Sequence, residues 1–305
     1  MADMTRIAVL GPGGVGGFVA AALARAGEDV TVVARESTAE QIGRRGIAVS
    51  SALLGDFVAR PRATAVLAEP VEMLIVATKA IGLDCALRRI EASPDVVVPL
   101  LNGLDHMTVL RARFGPGRVA AGTIRIESDR PRIAAVLQSS PAVRVQLAAD
   151  DVGLADAAHW LAATLRMAGI PAQVGDSEAQ ILWSKLVRLN ALACTTSAAD
   201  RPIGFIRSDP EWRPRLEACV AETAAVANAD GARIDGADLL AELEAAPAEL
   251  GSSMRRDIAA GREPELDAIP GSVLRAADRH GVACPTVALL TEQIAQRAGI
   301  SVPGR

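Results

Sequence analysis

Short runs of consecutive apolar residues, set between stretches with helical spacing, dominate the first half of the chain. Ile7-Ala8-Val9-Leu10, the run within Asp29-Val30-Thr31-Val32-Val33-Ala34, Met73-Leu74-Ile75-Val76-Ala77 and the run within Asp95-Val96-Val97-Val98-Pro99-Leu100-Leu101 are the clearest. Strands covered on both faces lose the in–out alternation of half-exposed ones, so these runs predict a buried parallel sheet. Weaker strand-like pieces fall near 47–50, 57–60, 118–122 and 143–147, and helix-like stretches near 18–24 and 39–45. The alternation predicts an α/β fold whose N-terminal part is a doubly wound sheet with helices on both faces. The character changes at Gly175-Asp176. From Glu178 onward only helical spacing remains, near 178–200, 209–230, 237–245, 251–260, 268–281 and 285–298, with Gly and Pro at the joints. The expectation is two domains: 1–175 binding a dinucleotide, and an all-helical 176–305.

Composition narrows the class. Of the 305 residues, 50% are hydrophobic but only 2% aromatic, so Ala, Val, Leu and Ile must build the cores. A net charge of −4 gives no electrostatic reason to expect nucleic acid or an anionic membrane as partner. Cys85, Cys194, Cys219 and Cys284 have neither CxxC nor ligand-like spacing, which predicts free thiols in a reducing cytoplasm and no metal site. The first residues lack a basic segment followed by an apolar run and a cleavage site, and no apolar stretch reaches 18 residues, so neither leader nor membrane span is expected.

The first candidate chemistry lies between the first strand and helix. Gly11-Pro12-Gly13-Gly14-Val15-Gly16 is a G-x-G-x-x-G in strand–turn–helix context. Gly11 permits the tight turn, Gly13 lets a pyrophosphate approach the backbone, and Gly16 lets helix and strand pack closely. The amides of Gly14, Val15 and Gly16 open a helix N-terminus, where a phosphate finds donors and partial positive charge. The second strand ends at Arg35-Glu36. An Arg at this tip accommodates a 2′-phosphate, whereas an acidic residue takes the ribose 2′-hydroxyl. Arg35 therefore favours NADP(H), with Glu36 as the competing ribose ligand.

Further polar residues fall where open α/β sheets bind ligands, at the carboxyl ends of strands. Thr78 and Lys79 there border a dinucleotide or are ordinary strand-end residues. Asn102, before Gly103, holds cofactor or substrate on the same terms. Lys185, in Leu182-Trp183-Ser184-Lys185-Leu186, is either a solvated helix charge or, if buried, a lysine prepared for proton transfer. Ser253, in Gly251-Ser252-Ser253-Met254, and Glu265, in Glu263-Pro264-Glu265-Leu266-Asp267, read alone as a helix cap and an acidic turn. His106, His159 and His280 show no ligand pattern and are expected to be structural or surface residues.

Taken together, GPGGVGG, the strand ending TKA, LLNGL, LWSKL, SSMRRDI and PELDAIPGSVL occur in an order and spacing that resembles the ketopantoate reductase family (2-dehydropantoate 2-reductases). The resemblance implies a Rossmann-type NADP(H)-binding domain, an all-helical C-terminal domain, and reduction of a 2-keto acid to a 2-hydroxy acid. It implies Lys185 as proton donor to the carbonyl oxygen and Glu265 as the group positioning Lys185 and substrate. Asn102 orients cofactor or substrate, Ser253 binds the substrate carboxylate, and Lys79 lies near the cofactor. A homodimer and a cytoplasmic place in pantothenate biosynthesis come with it.

The chain departs from that family after Lys185. Typical members carry Asn four and eight residues on, where this chain has Leu189 and Ala193. Asn190 sits about 140° around a regular helix from Lys185, against about 40° for Leu189 and about 20° for Thr196. A one-residue π-bulge would rotate Asn190 back among the substrate ligands. Two other readings compete: a related β-hydroxyacid or opine-type dehydrogenase, and a non-catalytic NADP(H)-binding sensor.

Overall fold

The computed structural model describes residues 5–304. They form two compact units. One reaches Leu101 and resumes at His106–Ile181; the other joins Asn102–Asp105 to the chain from Leu182 onward. The sequence pattern puts the divide at 175/176. Packing puts it after Ile181 and gives the second unit four residues from the middle of the first half.

The first unit contains β1 (Arg6–Leu10), α1 (Gly14–Arg25), β2 (Asp29–Val33), α2 (Glu36–Arg45), β3 (Ile47–Ser51), β4 (Phe57–Ala59), β5 (Arg62–Thr64), β6 (Met73–Val76), α3 (Leu83–Leu87) and β7 (Val96–Pro99). It continues with α4 (His106–Phe114), β8 (Ala121–Arg125), β9 (Ser128–Arg132), β10 (Ala135–Gln138), β11 (Arg144–Ala148), α5 (Val152–Met167) and β12 (Ala172–Val174). Five strands form a parallel sheet in the order β5-β2-β1-β6-β7. Central β1 pairs Ile7 with Val30 on one side and with Met73 on the other. Ile7–Leu10 are buried from both faces, which is why that run does not alternate.

Two smaller sheets, β4-β3-β10-β9 and β12-β11-β8, complete the unit. α1 packs against the first two sheets through residues with little or no side chain. A Cβ added to Gly17 would lie 2.7 Å from Val136 Cγ2, and Ala20, Ala21 and Ala22 are fully buried. The sequence pattern misses β9 because Ser128-Asp129-Arg130-Pro131-Arg132 has no aliphatic residue. It is an edge strand, where a proline removes no ladder bond and charges discourage further pairing. The strand expected at 118–122 begins later, at Ala121, because Pro116–Arg118 forms a 3-10 turn.

α6 (Glu178–Ala199) carries the chain into the second unit. There follow α7 (Ile203–Ser208), α8 (Trp212–Ala229), α9 (Gly236–Ala245), α10 (Ser253–Ala259), a π turn over Asp267–Gly271, α11 (Ser272–His280) and α12 (Pro285–Ala298). Leu216, Ile269, Leu290 and Ile294 are fully buried between these helices. Each such side chain contributes about 1.5–3 kcal/mol. Trp183 is 1% exposed and donates its indole N–H to Asp230 Oδ2 at 2.9 Å, while His280 Nε2 lies 2.6 Å from Asp230 Oδ1. Trp183 is thus a packing residue, and His280 is a surface residue paired with Asp230. Among the described residues no helix is long and apolar enough to cross a membrane, and no group of three His, Cys, Asp or Glu could hold a metal ion.

Candidate functional site

In the first unit the glycine loop is built by β1, β2 and β6 together. Gly11, at φ +92°, donates its N–H to Val33 O at 3.1 Å. Gly13 then donates to Gly11 O at 2.8 Å, which folds the turn so that α1 can begin at Gly14. A Cβ on Gly16 would stand 2.2 Å from Gly11 O, too close for any residue but glycine. A Cβ on Gly13 would meet nothing within 4 Å, so the backbone there is open to an approaching group. The amides of Gly14, Val15 and Gly16 head the helix and lack intrahelical acceptors.

Two hydroxyls flank this loop without partners. Thr78 packs on Gly11, its Cγ2 2.7 Å from where a Cβ would sit, and Ser128 packs on Gly14, its Oγ 2.9 Å from that position. Thr78 Oγ1 and Ser128 Oγ are both buried and make no hydrogen bond. A buried unpaired hydroxyl costs about 1–3 kcal/mol, so two of them beside a helix N-terminus fit a site completed by an oxygen-rich ligand. A dinucleotide pyrophosphate has that chemistry. Thr78 is a sequence-predicted site residue. Ser128 is not, because β9 reads as loop.

The β2 tip carries the other half of this site. Arg35 is the N-cap residue of α2, its carbonyl accepting from Thr38 and Ala39 at 2.9 Å. Its side chain is exposed and, among the described residues, has no ion-pair partner. Glu36 is differently placed, since Arg89 holds its carboxylate at 3.1 and 3.4 Å. Lys79 stands exposed at the end of β6, before the 3-10 turn Ala80–Gly82.

In the second unit the structure joins two sequence blocks that are 163 residues apart. Asn102 donates its amide Nδ2–H to Glu265 Oε2 at 2.9 Å. Gly103, at φ +83°, presses on the π turn, where a Cβ would lie 2.0 Å from Ala268 O. Arg275 ties the same segments together, donating to Asp105 Oδ2 at 2.6 Å and to Asp267 Oδ1 at 2.7 Å. Glu265 is 9% exposed, and Lys185, on α6, is 8% exposed. A lysine and a glutamate are rarely this buried, so each lies inside the fold rather than on a solvated surface.

A second polar group lines α6 about three helical turns further on. Thr196 Oγ1 and Ser197 Oγ lie 3.0 and 3.2 Å from Ser252 Oγ. Ser252 caps α10 by accepting from Arg255 N at 3.1 Å, and Ser253 is the first residue of that helix, half-buried. The hydroxyl cap is therefore Ser252, which leaves the Ser253 hydroxyl uncommitted to capping.

Asn190 requires a correction. α6 is a regular α-helix throughout, so no bulge turns Asn190 toward Lys185. Asn190 is fully buried facing α8, its Nδ2 donating to Thr223 Oγ1 at 2.9 Å and its Oδ1 accepting from Cys194 Sγ at 3.3 Å. A buried amide needs such partners, and these hold it on the α8 side. The only π turn among the described residues lies instead just after Glu265. Asn190→Val should thus destabilise the fold by about 1–3 kcal/mol through the stranded Thr223 hydroxyl. KM for substrate should stay within about twofold. Thermal unfolding beside steady-state kinetics checks this; a KM effect without a stability loss would return Asn190 to the substrate site.

Comparison with known proteins identifies the family and the fold. The family model described as ketopantoate reductase PanE/ApbA matches residues 7–149, and its C-terminal counterpart matches residues 179–298. A 2-dehydropantoate 2-reductase of Mycobacterium tuberculosis is 31% identical over 298 residues, covering 95% of this chain and 97% of its own. The crystal structure of 2-dehydropantoate 2-reductase from Geobacter metallireducens superposes with a TM-score of 0.86 at 28% identity, covering 95% and 99% of the two chains. A D-mandelate dehydrogenase in complex with NADH and anilino(oxo)acetate shares the fold, with a TM-score of 0.87 at 22% identity over 96% and 98%.

Proposed function

Because the chain belongs to the ketopantoate reductase family, a family of oxidoreductases acting on 2-keto acids, we propose that it reduces a 2-keto acid to the 2-hydroxy acid with NADPH, with 2-dehydropantoate as the first substrate to test. The observation that carries this reading is the Asn102–Glu265 hydrogen bond in the unit that buries Lys185. It joins two separate sequence blocks of the family, and Lys185, from a third, is buried in the same unit.

The glycine loop, Thr78 and Ser128 are suited to the cofactor pyrophosphate, Arg35 to a 2′-phosphate, and Lys79 to the cofactor's edge. When bound, the nicotinamide supplies a hydride to the carbonyl carbon. Negative charge then grows on the carbonyl oxygen, where the Lys185 ammonium stabilises it and gives up one proton to form the alcohol. Glu265, fixed by Asn102, positions Lys185 and the substrate. The Ser253 hydroxyl takes the substrate carboxylate and so fixes the carbonyl for attack. Family membership also supports a homodimer and a place in pantothenate biosynthesis.

One observation favours a different side chain on the substrate. Leu189 and Ala193 stand where family members carry Asn, and Leu189 is a half-buried apolar residue within about 40° of Lys185. A 2-keto acid with an apolar substituent suits that surface better than a hydroxylated one. NADPH oxidation with a panel of 2-keto acids separates the two: a kcat/KM at least about tenfold higher for 2-dehydropantoate than for aromatic or branched-chain keto acids supports the first. The reverse order moves the substrate and keeps the mechanism. No turnover with any of them removes the reductase reading.

The cofactor assignment has its own test. Arg35→Asp should weaken NADPH binding by at least about tenfold and leave NADH binding within about twofold. Equal losses for both cofactors remove the 2′-phosphate role of Arg35.

A further inference from the structure

Arg35 is not the only guanidinium at the β2 tip. Arg89, just beyond α3, reaches across the parallel sheet's edge and is tied down by the backbone itself. Its Nη1 donates to Ala65 O at 3.0 Å and Ala34 O at 3.4 Å, the carbonyls that follow β5 and β2. The same nitrogen meets Glu36 Oε1 at 3.1 Å, and Nη2 meets Glu36 Oε2 at 3.4 Å. The Arg89 side chain is 24% exposed, whereas that of Glu36 is 74% exposed. Arg89 is therefore the fixed partner and Glu36 the captured one. The hydrogen bond from Arg89 lowers the Glu36 carboxyl's pKa, so the group stays ionised and held.

This pairing bears on a competition the sequence leaves open. A carboxylate at the end of β2 selects NAD(H) by accepting from the ribose hydroxyls, and it repels a 2′-phosphate. Glu36 has both its oxygens on Arg89 instead. Arg35, next to it, is exposed and forms no ion pair among the described residues.

We propose that Arg89 is a positioning residue for cofactor choice: by capturing Glu36 it removes the one carboxylate able to grip the ribose diol and leaves the β2 tip cationic, which selects a dinucleotide carrying a 2′-phosphate. The proposal rests on the NADP(H) reading above. It differs from a direct Arg89–phosphate contact in one respect: Arg89 becomes dispensable once Glu36 is neutral.

Fluorescence titration of the full-length protein with NADPH and with NADH, without substrate, reads this directly. Arg89→Ala should raise the NADPH Kd at least about tenfold and leave the NADH Kd unchanged or lower. Glu36→Gln/Arg89→Ala, which restores the wild-type net charge at the tip, should recover NADPH binding to within about threefold of wild type. Glu36→Gln alone should change neither Kd by more than about twofold. A double variant that stays as weak as Arg89→Ala overturns the proposal in favour of direct contact. Equal weakening of both cofactors by Arg89→Ala overturns it in favour of a structural role. If Arg89→Ala does not fold, Glu36→Gln still decides, because a tenfold loss for both cofactors would show Glu36 gripping the ribose. A wild type without NADPH preference removes the cofactor reading alone; a Kd ratio that still moves with Arg89→Ala and returns in the double variant keeps Arg89 as the positioning residue.

Discussion

Lys185→Ala is expected to lower kcat for the preferred 2-keto acid by about 10²–10⁴-fold, the usual worth of a positioned general acid, and to leave the NADPH Kd within about twofold. The separation follows from placement, since Lys185 sits on α6 in the helical unit and the glycine loop in the other. Lys185→Arg sharpens the test. An arginine keeps the positive charge but does not release its proton, so a variant active at near wild-type rates would make Lys185 an electrostatic group and not the donor. Because Lys185 is buried, melting curves of both variants must accompany the kinetics. Single-turnover rates that stay at wild-type level in Lys185→Ala would remove it from the chemistry.

Gly103→Ala has the second largest expected effect. Its φ of +83° is costly for any residue with a side chain, by about 1–3 kcal/mol. The new methyl would also meet the Ala268 carbonyl at 2.0 Å, so either the Asn102–Asp105 segment or the π turn must move. The first carries Asn102 and the second closely follows Glu265, the two partners of one hydrogen bond. A displacement of about 1 Å in a positioning pair costs about 10²-fold in rate, and kcat/KM should fall by at least that much. Asn102→Ala, which deletes the hydrogen bond without moving the backbone, should reproduce most of the kinetic loss with a smaller stability loss. A Gly103→Ala variant with reduced stability but wild-type kcat/KM would show that the pair is structural.

The parts of this molecule that were legible in the sequence are those whose signal is local. β1, β6 and β7 are continuous apolar runs because both faces of their sheet are covered, and the glycine loop is readable because its turn, opening and helix contact occupy six consecutive residues. β9 was hidden because an edge strand needs no apolar face, and Ser128 was lost with it. The Asn102–Glu265 pair has no local signature at all; only the resemblance among ordered blocks put the two residues in one set. Asn190 shows the opposite failure. Helical periodicity alone pointed it away from Lys185, and the bulge invoked to bring it back is absent, because Thr223 and Cys194 already satisfy its amide on the other side. The irregular turn that does occur follows Glu265, at a proline-containing segment whose period gave no warning.

The four residues Asn102–Asp105 are flanked on both sides by chain of the first unit and yet pack with the second. On the ribosome this imposes a wait. The strands around Asn102 emerge early and can pair at once, whereas Glu265 is made 163 residues later. At about 5–20 residues per second, that is roughly 8–33 seconds during which the Asn102 segment has no partner to close on. A C-terminal fragment expressed from Leu182 onward would lack the segment altogether, so this protein cannot be divided into two working halves by a single cut.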